Sequence, residues 1–169
     1  MTHTQLLIDS LCNPKKLANY RVLSVGKVLQ YTFLLITLVT VFSFGQFVTN
    51  IEQEIVQTSE FASYLVGIEW LIYPFGFALL FIITTSIQFL KISLYALAGW
   101  LLLKPMSRRG EYRHVWRTAS FAITWATLLS VMFTMLQLPS TFGTIIGLFT
   151  TILFTIIAIN HYPKLKPYY

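Results

Sequence analysis

The chain has 169 residues, of which 56% are hydrophobic and only 11% charged, with a mean hydropathy of +0.68. Soluble domains carry about a quarter charged residues, so a water-soluble globule is excluded, and the length allows one domain rather than two. A single cysteine excludes an internal disulfide framework and a four-cysteine metal site. The net charge of +6 does not point to nucleic acid, because the basic residues flank apolar runs, as they do in proteins oriented by a membrane.

In chain order, the first element is residues 3–13, HTQLLIDSLCN, with Leu6, Leu7, Leu11 and Cys12 on one helical face. It reads as an N-terminal amphipathic interfacial helix that binds anionic lipid or a partner, or as a short flap packed on the bundle's own end. Cys12 reads as an acylation site or an ordinary free thiol. Residues 1–27 form the cytoplasmic interfacial segment. The first spanning helix is expected at about 28–48, an uncharged run close to the roughly 20 residues a bilayer core needs. It is longer than a typical signal-peptide core, so it reads as an uncleaved helix.

An extracytoplasmic loop follows at 49–73, its 61–73 stretch lying on the outer interface with Trp70 and Tyr73 as anchors. Pro74 suits a first turn, which places the second helix at 74–103. Residues 104–117 form a basic cytoplasmic loop. Residues 118–160 hold no charge and are too long for one span. Leu138-Pro139-Ser140-Thr141 divides them into helices at 118–137 and 141–160, with Ser140 or Thr141 as cap. The tail 161–169 is basic and aromatic. The fold class is therefore all-α, a single membrane domain over 1–169 built as a bundle of four transmembrane helices.

Charge sets the orientation. Eleven of the twelve Lys and Arg residues precede helix one, lie between helices two and three, or follow helix four. The opposite loops carry Glu52, Glu54, Glu60 and Glu69 and no basic residue. The positive-inside rule then puts both termini in the cytoplasm, N-in and C-in.

Three sets of residues are candidate sites. Thr84, Gln88 and Lys91 share a helix face, and Lys91 is the one credible ionisable group inside a span. It reads as a charge lining a polar path or contacting an anion, or as a snorkelling lysine. Gly143, Gly147, Thr151 and Thr155 repeat a small residue at every fourth position, a helix-packing face toward this chain or a second protomer. Arg108, Arg109, Arg113 and Arg117 are candidate contacts for anionic lipid headgroups, or simply determinants of topology. His3, His114 and His161 form no ligand cluster, Gly26-Lys27 is not a phosphate loop, and no span carries a carboxylate relay. The reading is a non-enzymatic protein without a cofactor.

Two groups of residues carry a resemblance. They are Ser10-Leu11, Pro14-Lys15, Arg21, Gly26-Lys27 and Tyr31, then Tyr112, Trp116-Arg117 and Ala122-Ile123-Thr124. Over about 10–31 and 100–135 the chain resembles the bacterial membrane family DUF1189, some of whose members are labelled maltodextrin-utilisation proteins. It is also distantly similar to the Yip type. Typical members have a larger segment between the first two helices, and a proline in the third helix where this chain has Trp125-Ala126. The resemblance implies a Gram-positive plasma-membrane protein, an accessory factor in carbohydrate uptake or envelope biology, and brings no catalytic residues. The function expected is an accessory or scaffold subunit, joined to another membrane protein or to copies of itself. The alternatives are a small transporter or channel subunit using Lys91, and a lipid-binding or membrane-shaping protein.

Overall fold

The computed structural model describes residues 3–57, 69–136 and 138–164. The stretch 61–68 of the expected outer segment, Glu60, Gln137 and residues 165–169 of the tail lie outside them. Among the described residues, seven helices follow one another: α1 (His3–Cys12), α2 (Pro14–Tyr20), α3 (Val25–Gln57), α4 (Glu69–Leu103), α5 (Tyr112–Ala122), α6 (Thr124–Met135) and α7 (Ser140–Asn160). Four stretches of these residues are long and apolar enough to cross a membrane: Val25–Gln53, Trp70–Leu103, Tyr112–Met135 and Thr141–Asn160.

The spans differ from the sequence expectation mainly at their ends. α3 has 33 residues and α4 has 35. Each is about 50 Å long, against a hydrocarbon core of about 30 Å. α4 begins at Glu69 rather than 74, so Pro74 lies inside the helix instead of opening it. A proline so near the N-terminal end removes one ladder bond, to the carbonyl of Trp70, and Trp70 is exposed. The third span starts at Tyr112, six residues before the expected 118. Glu111 caps it reciprocally: its side chain accepts from the His114 backbone, and its own N–H donates to His114 Nδ1 at 3.2 Å.

That span is also interrupted. Helical geometry lapses at Ile123 (φ −70°, ψ −9°), dividing α5 from α6. Thr124 Oγ1 donates back to the Phe121 carbonyl at 2.7 Å and shares a 2.7 Å hydrogen bond with Tyr31 Oη. Both bonds of the Thr124 hydroxyl fall at this break, which occurs without a proline. The α6–α7 turn falls at Pro139 as expected. Pro139 itself is the N-cap residue and no side chain caps α7; the first turn closes through Phe142 N–H to the Pro139 carbonyl.

The chain forms two compact units, residues 1–35 with 89–169, and residues 36–88, with α3 and α4 contributing to both. The larger unit has two buried clusters. One gathers Leu6, Leu17, Tyr20, Tyr31 and Phe121; the other gathers Ile92, Ala96, Val115, Ile123 and Tyr162. Leu6 and Leu17 come from α1 and α2, so these short helices dock on the bundle. Trp125 Nε1 donates to the Leu11 carbonyl at 3.0 Å and holds α1 there. In the smaller unit, Phe44 meets Phe77 edge-on at 5.3 Å, and Gly76 lies under the Phe47 ring.

Candidate functional site

The loop after α4 is built, not slack. Met106 and Ser107 turn back onto Leu102 and Lys104, and Ser107 adopts a left-handed backbone with φ 52°. Arg108 N–H donates to the Leu103 carbonyl at 3.0 Å, and Arg109 N–H to the Pro163 carbonyl at 2.9 Å. Arg108 also forms an antiparallel bridge with Lys164, so the loop is tied to the segment after α7. Its guanidinium donates to the Tyr162 carbonyl at 2.8 Å and to Asn160 Oδ1 at 2.9 Å. Those acceptors lie at the C-terminal end of α7, where carbonyls lack helical partners and favour a cation.

The four candidate arginines thus fall into different settings. Arg108 is fixed by α7, with guanidinium N–H groups to spare. Arg109 is exposed. Arg113 pairs with Glu111 at 2.6 Å on the open surface. Arg117 donates to the Arg21 carbonyl at 2.9 Å, while Arg21 lies over the Tyr162 ring, 5.0 Å from its centroid. Tyr162 Oη bonds Thr118 Oγ1 at 2.6 Å, and burial pushes its hydroxyl above the usual tyrosine range. Three basic segments far apart in sequence therefore converge at one end of the larger unit. Lys104, which was not among the candidates, joins Arg108 and Arg109 around a cavity of about 330 Å³.

A second polar cluster fastens α1 to α2. Asp9 accepts from Lys16 Nζ at 2.8 Å, Tyr20 Oη at 2.6 Å and Asn13 Nδ2 at 3.2 Å. The Lys16 bond, then the Tyr20 bond, holds the Asp9 carboxyl below its ordinary value. Burial, then the bond to Asp9, raises the Tyr20 hydroxyl. In residues 3–12, Leu6 is buried against the bundle while Ile8 stays exposed. Cys12 is an exposed free thiol.

The intramembrane set does not share one environment. Thr84 is half-buried, Gln88 is 7% exposed and Lys91 stands exposed beside Leu90 and Leu94. Among the described residues, no carboxylate lies within ion-pairing distance of Lys91.

The small-residue face of α7 turns toward α6 and α4 of the same chain. A Cβ on Gly147 would lie 2.8 Å from Ala126 Cα, and one on Gly143 2.9 Å from the Phe133 ring. Thr151 and Thr155 are buried and bond back to the Gly147 and Thr151 carbonyls. The choice left open by sequence, this chain or a second protomer, is thus filled by the chain's own helices. Gly99 was missed: a Cβ there would lie 2.8 Å from Val115 and 3.0 Å from both Thr155 and Ile159. A lone glycine beside Trp100 carries no periodic signal; only the approach of α5 and α7 reveals it.

Among the described residues, no three His, Cys, Asp or Glu side chains group to hold a metal ion. No curated protein and no solved structure matches the chain. A family described as "Protein of unknown function (DUF1189)" matches residues 56–159, which includes the second group of resembling residues and not the first. With more than half its length matched, and four membrane-length apolar stretches, this helical chain belongs to the DUF1189 family.

Proposed function

We propose that this protein is a non-enzymatic accessory or scaffold subunit of a bacterial plasma-membrane complex, with both termini cytoplasmic. The convergence of Arg21, Lys104, Arg108 and Arg117 at one end of the larger unit supports that orientation by the positive-inside rule. The observation that carries the role is Lys91, a cation exposed on an apolar helix and, among the described residues, in no ion pair. A charge on a lipid-facing surface is costly and is relieved by an opposite charge from another helix. The partner this fits is a membrane protein with a carboxylate inside a span. An uptake permease, as the carbohydrate labels in the family imply, is one such class.

Gln88 turns inward and Lys91 outward, which favours a partner contact over a transport path lined by Thr84, Gln88 and Lys91. The test is gentle extraction of tagged protein from its native membrane, with a photocrosslinker at Leu94. The expected result is one stoichiometric membrane protein, joined at Leu94 and lost in Lys91→Leu. Recovery of the protein with lipid alone, or a partner indifferent to Lys91→Leu, overturns the reading.

A further inference from the structure

We propose that the cavity between the end of α4 and the loop that follows it binds the phosphoryl headgroup of an anionic glycerophospholipid. The cavity, of about 330 Å³, is within the range of small-ligand sites. Its polar side is Lys104, Arg108 and Arg109, and among the described residues no acidic side chain lines it. Three cations facing one space repel one another, and an anion between them relieves that repulsion. Glu111, the nearest carboxylate in sequence, is engaged by Arg113.

One cation is held before any ligand arrives: the Arg108 guanidinium is anchored on Asn160 and the Tyr162 carbonyl, and the loop backbone is tied at Arg109 to Pro163. Binding therefore need not immobilise Arg108, which lowers part of its entropic cost. A guanidinium presents parallel donors to phosphate oxygens, and Lys104 adds a mobile point charge.

The other side of the cavity selects the source of the phosphate. Trp100 and Leu101 line it and are 40% and 61% exposed, at the end of a long apolar span. Tryptophan sits at headgroup depth in membrane proteins, and leucine beside it suits an acyl chain. A free phosphate ion would use the three cations and leave this apolar wall idle. A diacyl phospholipid uses both. The inference rests on the chain spanning a membrane and not on its having a protein partner.

The experiment uses the full chain in nanodiscs containing phosphatidylglycerol and phosphatidylcholine in equal amounts. Lipid that stays bound on extraction is quantified by native mass spectrometry. Wild type is expected to retain phosphatidylglycerol over phosphatidylcholine, and Lys104→Gln with Arg109→Gln to lose that preference by an order of magnitude. Arg108 is left alone because it also holds the loop. Lys15→Gln with Lys27→Gln removes the same charge elsewhere and is expected to keep the preference, and unchanged melting of both double variants shows that they fold.

Equal retention of the two lipids by wild type overturns the proposal. So does an equal loss in both double variants, which would mean diffuse attraction. Displacement of the lipid by millimolar inorganic phosphate would show a site for free anions, and overturns the lipid assignment.

Discussion

In the larger unit, helices approach at Gly147 and Gly99, and side chains far apart in sequence bond to one another, as Tyr31 does with Thr124 and Thr118 with Tyr162. In the smaller unit, Thr40, Thr49 and Ser86 bond back to their own helices, while Phe44, Phe47 and Phe77 span the gap. Lipid supplies no hydrophobic drive for helix association, so close packing and hydrogen bonds must supply it. At Gly147 backbone meets backbone, a contact that cannot yield; at Gly76 in the smaller unit, and at Gly143 in the larger, a ring meets backbone, a contact that can.

The largest effect is expected at Gly147. Its neighbour is the Ala126 backbone, so Gly147→Leu has nowhere to place its side chain without separating α6 from α7. A loss of at least the 1–3 kcal/mol typical of overpacking is expected, read as a lower melting midpoint in detergent. Gly45→Leu, with nothing within 4 Å, serves as the tolerated control. The sharper contrast is alanine. A Cβ on Gly76 would come nearer its neighbour, 2.6 Å against 2.8 Å for Gly147, but that neighbour is the far edge of the Phe47 ring. Gly147→Ala is expected to cost more than Gly76→Ala. The reverse order would mean that the smaller unit is as unyielding as the larger.

Thr118→Val comes next. It removes the 2.6 Å partner of the buried Tyr162 hydroxyl, which keeps the His114 carbonyl at 3.2 Å, a loss of about 0.5–1.5 kcal/mol. Faster amide exchange in 160–164 is expected, since Tyr162 anchors that segment; unchanged exchange would show that Arg108 alone suffices.

The smallest effect is at Asp9. The Lys16 side chain is 57% exposed and that of Asp9 13%, so the pair is partly screened, and Asp9→Asn, which keeps an oxygen to accept from Tyr20, is expected to cost about 1 kcal/mol or less. The direction with pH is fixed by the lowered Asp9 and raised Tyr20 values. A depressed carboxylate contributes fully above its unfolded value of about 3.9, and the contribution fades as pH falls through the lower folded value. A raised phenol keeps its contribution below its unfolded value of about 10. Docking of α1, followed by amide exchange over Leu6–Cys12, is therefore expected to be flat from about pH 5 to 9 and to loosen in stronger acid.

Four spans and a hairpin at Pro139 were legible because uncharged runs and a proline act locally. The start of α4 was not, because Pro74 reads as an opening residue unless the helix before it is seen. The break at Ile123 was not legible either. It lies in an unbroken apolar run, and the Tyr31 hydroxyl that meets Thr124 beside it comes from another helix. Of the candidate sites, the α7 face was legible as a repeat, while its neighbour was not. The arginines were legible as a charge cluster, yet only folding separates Arg108 and Arg109 at the cavity from Arg113 and Arg117 outside it. Lys104 joins them by position, having no motif of its own.

The docking of α1 and α2 also sets an order of assembly. Leu6 and Leu17 share a buried cluster with Tyr20, Val28, Tyr31 and Leu35 and with Phe121, Ala122 and Ala158, so part of their seat is made of residues the ribosome adds much later. At about 5–20 residues per second, on the order of ten seconds separates the two during translation. Throughout that interval the apolar side of this early hairpin has only the early part of its seat, Val28, Tyr31 and Leu35 of α3. A nascent chain stalled before Phe121 would present Leu6 and Leu17 partly uncovered, a signal that quality-control proteases can read.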